Sequence, residues 1–379
     1  MSSKLLASLK LAQLKHAAFL TGLPSAGTKA DIIAVLKSSI STRTPTTTGS
    51  RIVSVDMGIR NLAYCVLDVP HPSPSHTNST KPKPLRVLAW KRLDLLHPST
   101  SPHTPPIPTT TQPQPPEPKS KPRAPAIPPS AFTPSHLSRT ALSLSRTLLS
   151  HSPTTILIER QRFRSGGGPA IQEWTVRVNM LEAMLWACLA TLREASSLGR
   201  NGVGARAGEF PAVFEVLPAR VAGFWVGDPD LDLRLTAETF ASPNPAARRI
   251  DAGPTAVPGS SSSGRMRVQK KDKVAVVRGW LDSHHNGNGN PNPEPNGNGH
   301  SNPDVPLAFS GEAARIAKAF TAPSSRSNSR GTTKEGLVER EGSEERMGKR
   351  DDLADCLLQA VAWTRWEENR EILARLLRS

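Results

Sequence analysis

The stretch RIVSVDMGIRNLAYCVLDV, residues 51–69, gives the clearest indication of the fold. Its two apolar halves flank a short segment, 58–61, that contains a glycine and an asparagine. This pattern is typical of two β-strands joined by a tight turn. The first half runs through Ile52, Val53 and Val55 and ends at Asp56, so it predicts a partly buried strand that finishes on an acid.

Further strands and helices are predicted on the C-terminal side of this hairpin. Strands are expected at 85–96, 154–159 and 213–217, and helices at 132–150, about 171–193 and 269–281, with terminal helices from Asp351 or Asp352 almost to Ser379. A hairpin first, then strands that alternate with helices, indicates an α/β fold with a mixed sheet and helices on its faces. A small helical module is predicted before the hairpin, with two helices within 3–40, the second capped by Thr28 and Asp31.

The composition indicates a folded core interrupted by long insertions. Only 37% of the 379 residues are hydrophobic, and the 36 prolines and 26 glycines are clustered. We expect disordered, low-complexity insertions near 70–130 (on both sides of the third strand), 226–265 and 283–347. The predicted domains are a helical module at 1–42 and an α/β domain at 50–379.

The net charge of +16 and the pI near 10.3 suit a polyanionic partner, nucleic acid first and an anionic membrane second. The same charge also serves solubility. The three cysteines have neither disulfide nor zinc spacing, which favours a reducing compartment. No apolar run reaches the roughly 18 residues of a membrane span, so no membrane association is predicted. The basic, serine-containing N-terminus partly fits a mitochondrial targeting segment.

Acidic residues occur at the ends of two predicted strands and at the start of the last helix. Asp56 either caps turn amides or binds a ligand, and Glu159, after a buried strand, either pairs with a neighbouring arginine or lies at a ligand site. Asp352 and Asp355, three residues apart, lie on one helix face. Taken alone, they are better explained as residues that favour a helix N-terminus.

Taken together, these four carboxylates predict a metal site. A ligand set of oxygens without histidine or cysteine suits Mg²⁺ or Mn²⁺ rather than zinc. Two such ions stabilise the attacking and leaving oxygens of a phosphodiester during in-line displacement. The basic net charge suits such a substrate.

Five blocks resemble the fungal mitochondrial Holliday-junction resolvases of the RNase H-like superfamily, which also includes the bacterial RuvC-type resolvases. The blocks are VDMGIRNLAYCV (55–66), the segment 158–187 that begins IERQRFRSGGG, FEVLPARVAGFW (214–225), KKDKVAVVRGWL (270–281) and KRDDLADCLLQAVAW (349–363). The resemblance implies a mixed five-stranded sheet flanked by helices, an active homodimer and a mitochondrial matrix location.

The family's catalytic acids fall by this resemblance on Asp56, Glu159, Asp352 and Asp355. The adjacent Asp351 can replace Asp352 if the alignment shifts by one residue. The N-terminal segment LKHAAFLTGLPSAGTKADIIAVL, 14–36, resembles the SAP-type DNA-binding module.

Candidate DNA contacts surround the acids in the sequence. Arg160, Gln161, Arg162 and Arg164 precede three glycines, a composition that allows close approach to phosphates. Further candidates for phosphate or DNA contact are Arg60, Lys270, Lys271, Lys273 and Lys29. For two of the three lysines of 270–273, a solvated basic face is the favoured interpretation. Trp174, Trp186, Phe224 and Trp225 are candidates for stacking on bases, with Trp186 better explained by core or dimer packing.

The sequence therefore predicts a Mg²⁺- or Mn²⁺-dependent endonuclease that resolves four-way DNA junctions. A first alternative is a related nuclease that acts on another nucleic acid, such as an RNA–DNA hybrid. A second is a junction-binding protein without catalytic activity, which would retain its function after Asp56→Asn.

Overall fold

The computed structural model describes most of the predicted elements. The described residues are 2–41, 49–70, 83–96, 129–161, 173–198, 210–227, 232–236, 268–285, 305–322 and 350–378. Most residues of the three predicted insertions lie outside these ranges. Within the described ranges, no helix has the length and apolar character needed to cross a membrane, and Cys65, Cys188 and Cys356 are free.

A six-stranded mixed sheet forms the centre of the fold. Its strands are β1 (Ser50–Asp56), β2 (Leu62–Val69), β3 (Leu85–Leu93), β4 (Thr155–Glu159), β5 (Ala212–Val216) and β6 (Leu307–Phe309). The spatial order is β5-β4-β1-β2-β3-β6. Strand β2 pairs antiparallel with β1 and β3, whereas the β1–β4, β4–β5 and β3–β6 pairs are parallel. The predicted hairpin and mixed α/β sheet are confirmed.

Helices cover both faces of the sheet because side chains alternate between faces along each strand. On one face, Val53 and Val55 of β1 pack with α4 (Pro134–Leu149) and α5 (Glu173–Leu198). On the other face, Ile52 belongs to the apolar core that includes α6 (Pro218–Val226), α7 (Lys270–His285), α8 (Gly311–Thr321) and α9 (Arg350–Arg378). A short 3₁₀ helix, Pro129–Phe132, precedes α4. The molecule therefore has three layers, with the sheet between two helical layers.

Three N-terminal helices, rather than the predicted two, precede the sheet. They are α1 (Ser2–Ser8), α2 (Leu11–Leu20) and α3 (Lys29–Ser41). The predicted cap of α3 is confirmed, because the Thr28 amide donates to the Asp31 carboxylate at 2.8 Å and the Asp31 amide donates to the Thr28 hydroxyl at 3.3 Å. The buried leucines of these helices share the apolar core of α9. A domain boundary near residue 42 stays a prediction.

Two expectations about the sheet and the insertions were wrong. The sheet has a sixth strand, and β6 and α8 both lie inside the stretch 283–347 that was expected to be an insertion. The three-residue β6 is too short to show a period, and it is held by parallel pairing with β3. Trp90 of β3 packs against Phe320 of α8 with ring centroids 5.2 Å apart. Helix α6 was also not predicted as a helix. Tertiary packing therefore orders segments that carry little local signal.

Candidate active site

Two acids lie side by side where adjacent parallel strands end. The β1–β4 register places Val55 beside Ile158, and the next residues are Asp56 and Glu159. Both side chains are half-buried. Burial is the largest cause of a pKa of Asp56 well above its usual range, followed by the charge of Glu159 and a hydrogen bond between the two side chains. The strands thus bring together the two acids that the sequence singled out separately.

Helix α9 brings its first turn to the same end of the sheet. The carboxylates of Asp355 and Asp352 also raise the pKa of Asp56, so they lie within electrostatic reach of it. Burial is the main cause that raises the pKa of Asp355 to about 6, although Lys273 acts in the opposite direction. Like charges gathered in a partly buried place cost free energy unless a cation or a proton offsets them. The arrangement therefore favours a bound cation.

The adjacent Asp351 and Asp352 differ in their surroundings. Asp351 forms an ion pair with Lys270, whose side chain is 75% exposed. The charge of Asp352 raises the pKa of Asp56, whereas Asp351 contacts Lys270. This difference favours Asp352 as the partner of Asp355 at the strand ends. Asp351 still contributes charge, because it also raises the pKa of Asp355.

Three hydrogen bonds fix the position of α9 on the sheet next to these acids. The buried Gln359 amide donates to the Ser54 hydroxyl at 3.1 Å and to the Val55 carbonyl at 3.4 Å. The indole of Trp90 donates to the Leu353 carbonyl at 2.9 Å. Because Ser54 and Val55 directly precede Asp56, the helix acids and the strand acid are held in a common frame.

Two lysines of α7 contact the acids of α9. Lys273 Nζ lies 2.6 Å from each carboxylate oxygen of Asp355, and Lys270 contacts Asp351. Lys271 is exposed. The interpretation of two of the three lysines as a solvated basic face fits Lys270 and Lys271, which are exposed, whereas Lys273 is largely buried against Asp355.

The donor set fits a hard divalent cation. It consists of carboxylate oxygens alone, which Mg²⁺ and Mn²⁺ prefer. Among the described residues, no three acidic, histidine or cysteine side chains are already arranged as a metal cage. Ammonium groups contact the carboxylates of Asp351 and Asp355. Lys273 thus occupies, as a monovalent cation, one carboxylate expected to bind metal.

The candidate DNA contacts have different surroundings. Gln161 is half-buried, and its backbone amide donates to the Glu182 carboxylate at 3.2 Å. Arg60 is partly exposed, with its Nε 4.0 Å from Asp94. Lys29 donates to the Ala7 carbonyl at 2.7 Å, a contact that joins α3 to α1. Arg162 and Arg164 lie outside the described residues.

The stacking candidates are divided by burial. Phe224 and Trp225 are 2% and 7% exposed, so the hypothesis that they stack on bases was wrong. The Trp225 indole donates to the Leu358 carbonyl at 3.0 Å. Trp186 packs against the core, as expected, and Trp174 remains 40% exposed with its ring against Phe132. Of these four candidates, Trp174 is the most exposed.

Two residues beside the acids were missed in the sequence. Gln359 lies one helical turn after Asp355 and is the polar residue within the apolar run CLLQAVAW, which is the signal that could have identified it. Glu182 of α5 accepts a hydrogen bond from the backbone amide of Gln161. The pKa of Glu182 is raised, mainly by burial and in part by the charge of Glu159. Its sequence spacing gives no signal, because the contact joins residues 21 positions apart.

Comparison with known proteins assigns the chain to a family. A family model described as "Mitochondrial resolvase Ydc2 / RNA splicing MRS1", in its catalytic part, matches residues 52–373, which is most of the chain. The chain belongs to this family. The five blocks that resemble mitochondrial resolvases all lie inside or overlap the matched region, and the resemblance is confirmed.

Two individual proteins are similar to this member of the mitochondrial resolvase Ydc2 / RNA splicing MRS1 family. The mitochondrial cruciform cutting endonuclease 1 of Schizosaccharomyces pombe is 28% identical over 221 residues, covering 58% of this chain and 68% of the relative. The structure of Thermus thermophilus RuvC is 14% identical, with a TM-score of 0.24, and the match covers 50% of this chain and 74% of that chain. The family assignment depends on the family model alone.

Proposed function

We propose that this protein is a mitochondrial endonuclease that resolves four-way (Holliday) DNA junctions with Mg²⁺ or Mn²⁺. Membership of a family described as mitochondrial resolvases supports the class of activity. The observation that carries the proposal is the convergence of Asp56, Glu159, Asp352 and Asp355 at one end of the sheet. A yeast relative named as a cruciform-cutting endonuclease supports the choice of substrate.

The proposed reaction is hydrolysis of a phosphodiester to 5′-phosphate and 3′-hydroxyl ends. Asp56, Glu159, Asp352 and Asp355 hold the divalent ions, with Asp351 as the alternative to Asp352. Divalent ions bound there supply a water of lowered pKa and offset charge on the leaving 3′ oxygen. Gln359 keeps the acids of α9 in register with Asp56. No covalent enzyme intermediate is required.

Binding to DNA is proposed to depend on phosphates and on junction shape. Arg162 and Arg164 follow Glu159 closely in the chain, so their guanidinium groups are suited to phosphates next to the cleaved bond. Gln161 is suited to a base edge. Arg60, Lys271 and the SAP-like module with Lys29 add basic contacts farther along the DNA arms.

The protein is proposed to act as a homodimer in the mitochondrial matrix. A four-way junction has opposed strands that must be cut in pairs, and two symmetry-related sites meet this need. The mitochondrial location follows the family description and the name of the yeast relative. The matrix is the compartment that contains mitochondrial DNA.

The physical cost of the acid cluster favours catalysis over binding alone. Carboxylates that raise one another's pKa destabilise the fold. They also repel phosphate, so a protein that only bound DNA would gain nothing from them. The family description also includes RNA splicing, which makes RNA-containing substrates the informative comparison.

The test is cleavage of a synthetic immobile four-way junction in Mg²⁺ by the full chain, with linear duplex and an RNA–DNA hybrid of the same sequence as comparison substrates. We expect rapid cleavage of the junction alone. Asp56→Asn and Glu159→Gln should bind the junction as tightly as the unmodified protein and fail to cut it. Matched controls are Asp282→Asn and Glu194→Gln, which change exposed acids of α7 and α5.

Each contrary result overturns a defined part of the proposal. Cleavage at the unmodified rate by Asp56→Asn or Glu159→Gln would disprove the site. Equal cleavage of duplex or hybrid would disprove junction selectivity. Tight binding without cleavage by the unmodified protein in Mg²⁺ and in Mn²⁺ would support the non-catalytic alternative.

A further inference from the structure

The contact between Lys273 and Asp355 joins two side chains at the centre of the acid cluster. The ammonium nitrogen is 2.6 Å from both carboxylate oxygens of Asp355. The side chains are only 18% and 23% exposed, so water screens this pair less than a surface pair. Both oxygens that a metal would use are therefore in contact with a cation of the chain itself.

The neighbouring lysines show that this placement is specific to one side of α7. The backbone amide of Gln269 donates to the Asp272 carboxylate at 2.7 Å, which fixes the start of the helix. Lys270 and Lys273, three residues apart, face α9, and each contacts an aspartate. Lys271 points to solvent. It carries the same charge in the same helical turn and is therefore a matched control.

An ammonium group and a divalent cation compete for the oxygens of Asp355. Mg²⁺ binds oxygen at about 2.1 Å and demands near-ideal octahedral geometry. A lysine nitrogen in contact with both oxygens fills the same positions. A metal that binds Asp355 must therefore displace the ammonium from at least one oxygen. The larger the population of the lysine-bound state, the weaker the apparent affinity for metal.

We propose that Lys273 is a resident counter-ion that holds Asp355 in the metal-free protein and competes with the divalent cation for it. The inference rests on the proposed metal site. It assigns Lys273 two effects, stabilisation of the metal-free fold and a weaker affinity for metal. When the cation binds, the released ammonium remains beside the acids, where it can donate a hydrogen bond to a phosphate oxygen.

The test is thermal unfolding of the full chain in EDTA and across a titration with MnCl₂ or MgCl₂, without DNA. We expect Lys273→Met to have a lower Tm in EDTA than the unmodified protein. Its half-saturating metal concentration should fall by about fivefold, because the competing lysine-bound state is gone. Lys271→Met should match the unmodified protein in both measurements. Lys273→Gln is the second variant if Lys273→Met does not fold.

The controls separate this inference from the proposed function. The unmodified protein should be stabilised by metal, and Asp56→Asn should lose most of that stabilisation. If the unmodified protein shows no metal-dependent shift that Asp56→Asn removes, the metal site itself is disproved. If that shift is present but the Lys273 variants have the same midpoint as Lys271→Met, the competition is disproved. A lower midpoint in the Lys271 variant as well would reduce the effect to net charge and would also overturn it.

Discussion

The two ends of α9 use buried polar groups in opposite ways. At its start, Asp352 and Asp355 approach Asp56 and raise its pKa. Toward its end, Asn369 is fully buried and its hydrogen bonds are complete. The Asn369 side chain accepts from the Leu235 amide at 2.9 Å and donates to the carbonyls of Leu20 at 2.7 Å and Leu233 at 2.9 Å.

The end that contains Asn369 also anchors the N-terminal helices. Arg370 donates to the Thr21 carbonyl at 2.9 Å, and Arg220 donates to the Gly22 carbonyl at the same distance. Gly22 has a φ of +68° and lies directly against the ring of Trp366. Because these side chains satisfy backbone carbonyls of the N-terminal segment, this end of α9 is a structural joint.

The two ends differ in whether their polar residues stabilise the fold or are suited to a ligand. A satisfied buried amide stabilises the protein, whereas an unneutralised carboxylate cluster lowers its stability. Removing an acid of the cluster at the start of α9 should therefore raise stability and reduce cleavage. Disrupting the joint at the other end should lower stability.

The largest effect is expected for Asp56→Asn. Junction cleavage should fall by more than about 100-fold, beyond the roughly 10- to 100-fold typical of residues that only orient a metal ligand. In EDTA the Tm should rise, because a charge that burial and Glu159 disfavour has been removed. The measurements are single-turnover cleavage and thermal unfolding.

The pH dependence of that Tm difference provides a check on its sign. A carboxyl whose pKa is raised by folding binds its proton more tightly in the folded state, so it destabilises the fold increasingly as pH rises above about 4. The Tm advantage of Asp56→Asn in EDTA should be small near pH 4 and should grow toward neutral pH. A constant difference across this range would contradict the electrostatic origin.

Gly22→Ala should damage the other end of α9. The added Cβ would lie 2.2 Å from Trp366 Cδ2, and an alanine is strained at positive φ. We expect a loss of about 2–4 kcal/mol in unfolding free energy, the sum of overpacking and backbone strain. Gly223→Ala is the control, because a Cβ there meets nothing within 4 Å. Denaturant unfolding measures both, and equal stabilities would refute the close packing at Gly22.

A smaller effect is expected for Gln359→Leu, which removes the link between α9 and β1. Unfolding free energy should fall by about 1–2 kcal/mol, because the Ser54 hydroxyl and the Val55 carbonyl lose a donor. Cleavage should fall by roughly tenfold through misplaced acids. Arg375→Gln, an exposed change on the same helix, is the control. Cleavage at the unmodified rate would show that this contact does not position the site.

The strands and the four acids could be predicted because they carry local signals. The hairpin at 51–69 has a clear turn between apolar runs, and Glu159 ends an apolar strand. Taking the four acids together predicted a shared metal site, and the resemblance assigned the family's catalytic acids to the same residues. The ion pairs of Lys270 and Lys273 were not predictable, since each lysine and its acid are more than 80 positions apart.

The sixth strand and the N-terminal packing had no comparable local signal. β6 has three residues and gains its stability from pairing with β3. The N-terminal helices were expected as a separate module, yet their buried leucines share one core with Trp366 of α9. Such long-range contacts depend on the whole fold, so a periodic pattern within one segment cannot reveal them.

Affinity cleavage by bound iron is the most direct test of a metal site formed by β1, β4 and α9. Fe²⁺ replaces Mg²⁺, and ascorbate with peroxide generates radicals that cut the backbone near the ion. We expect cuts near Asp56, near Glu159 and near 351–355, all suppressed by excess Mg²⁺ and lost together in Asp56→Asn. Cuts at only one of these places, or cuts that Mg²⁺ does not suppress, would contradict a single site formed by the three elements.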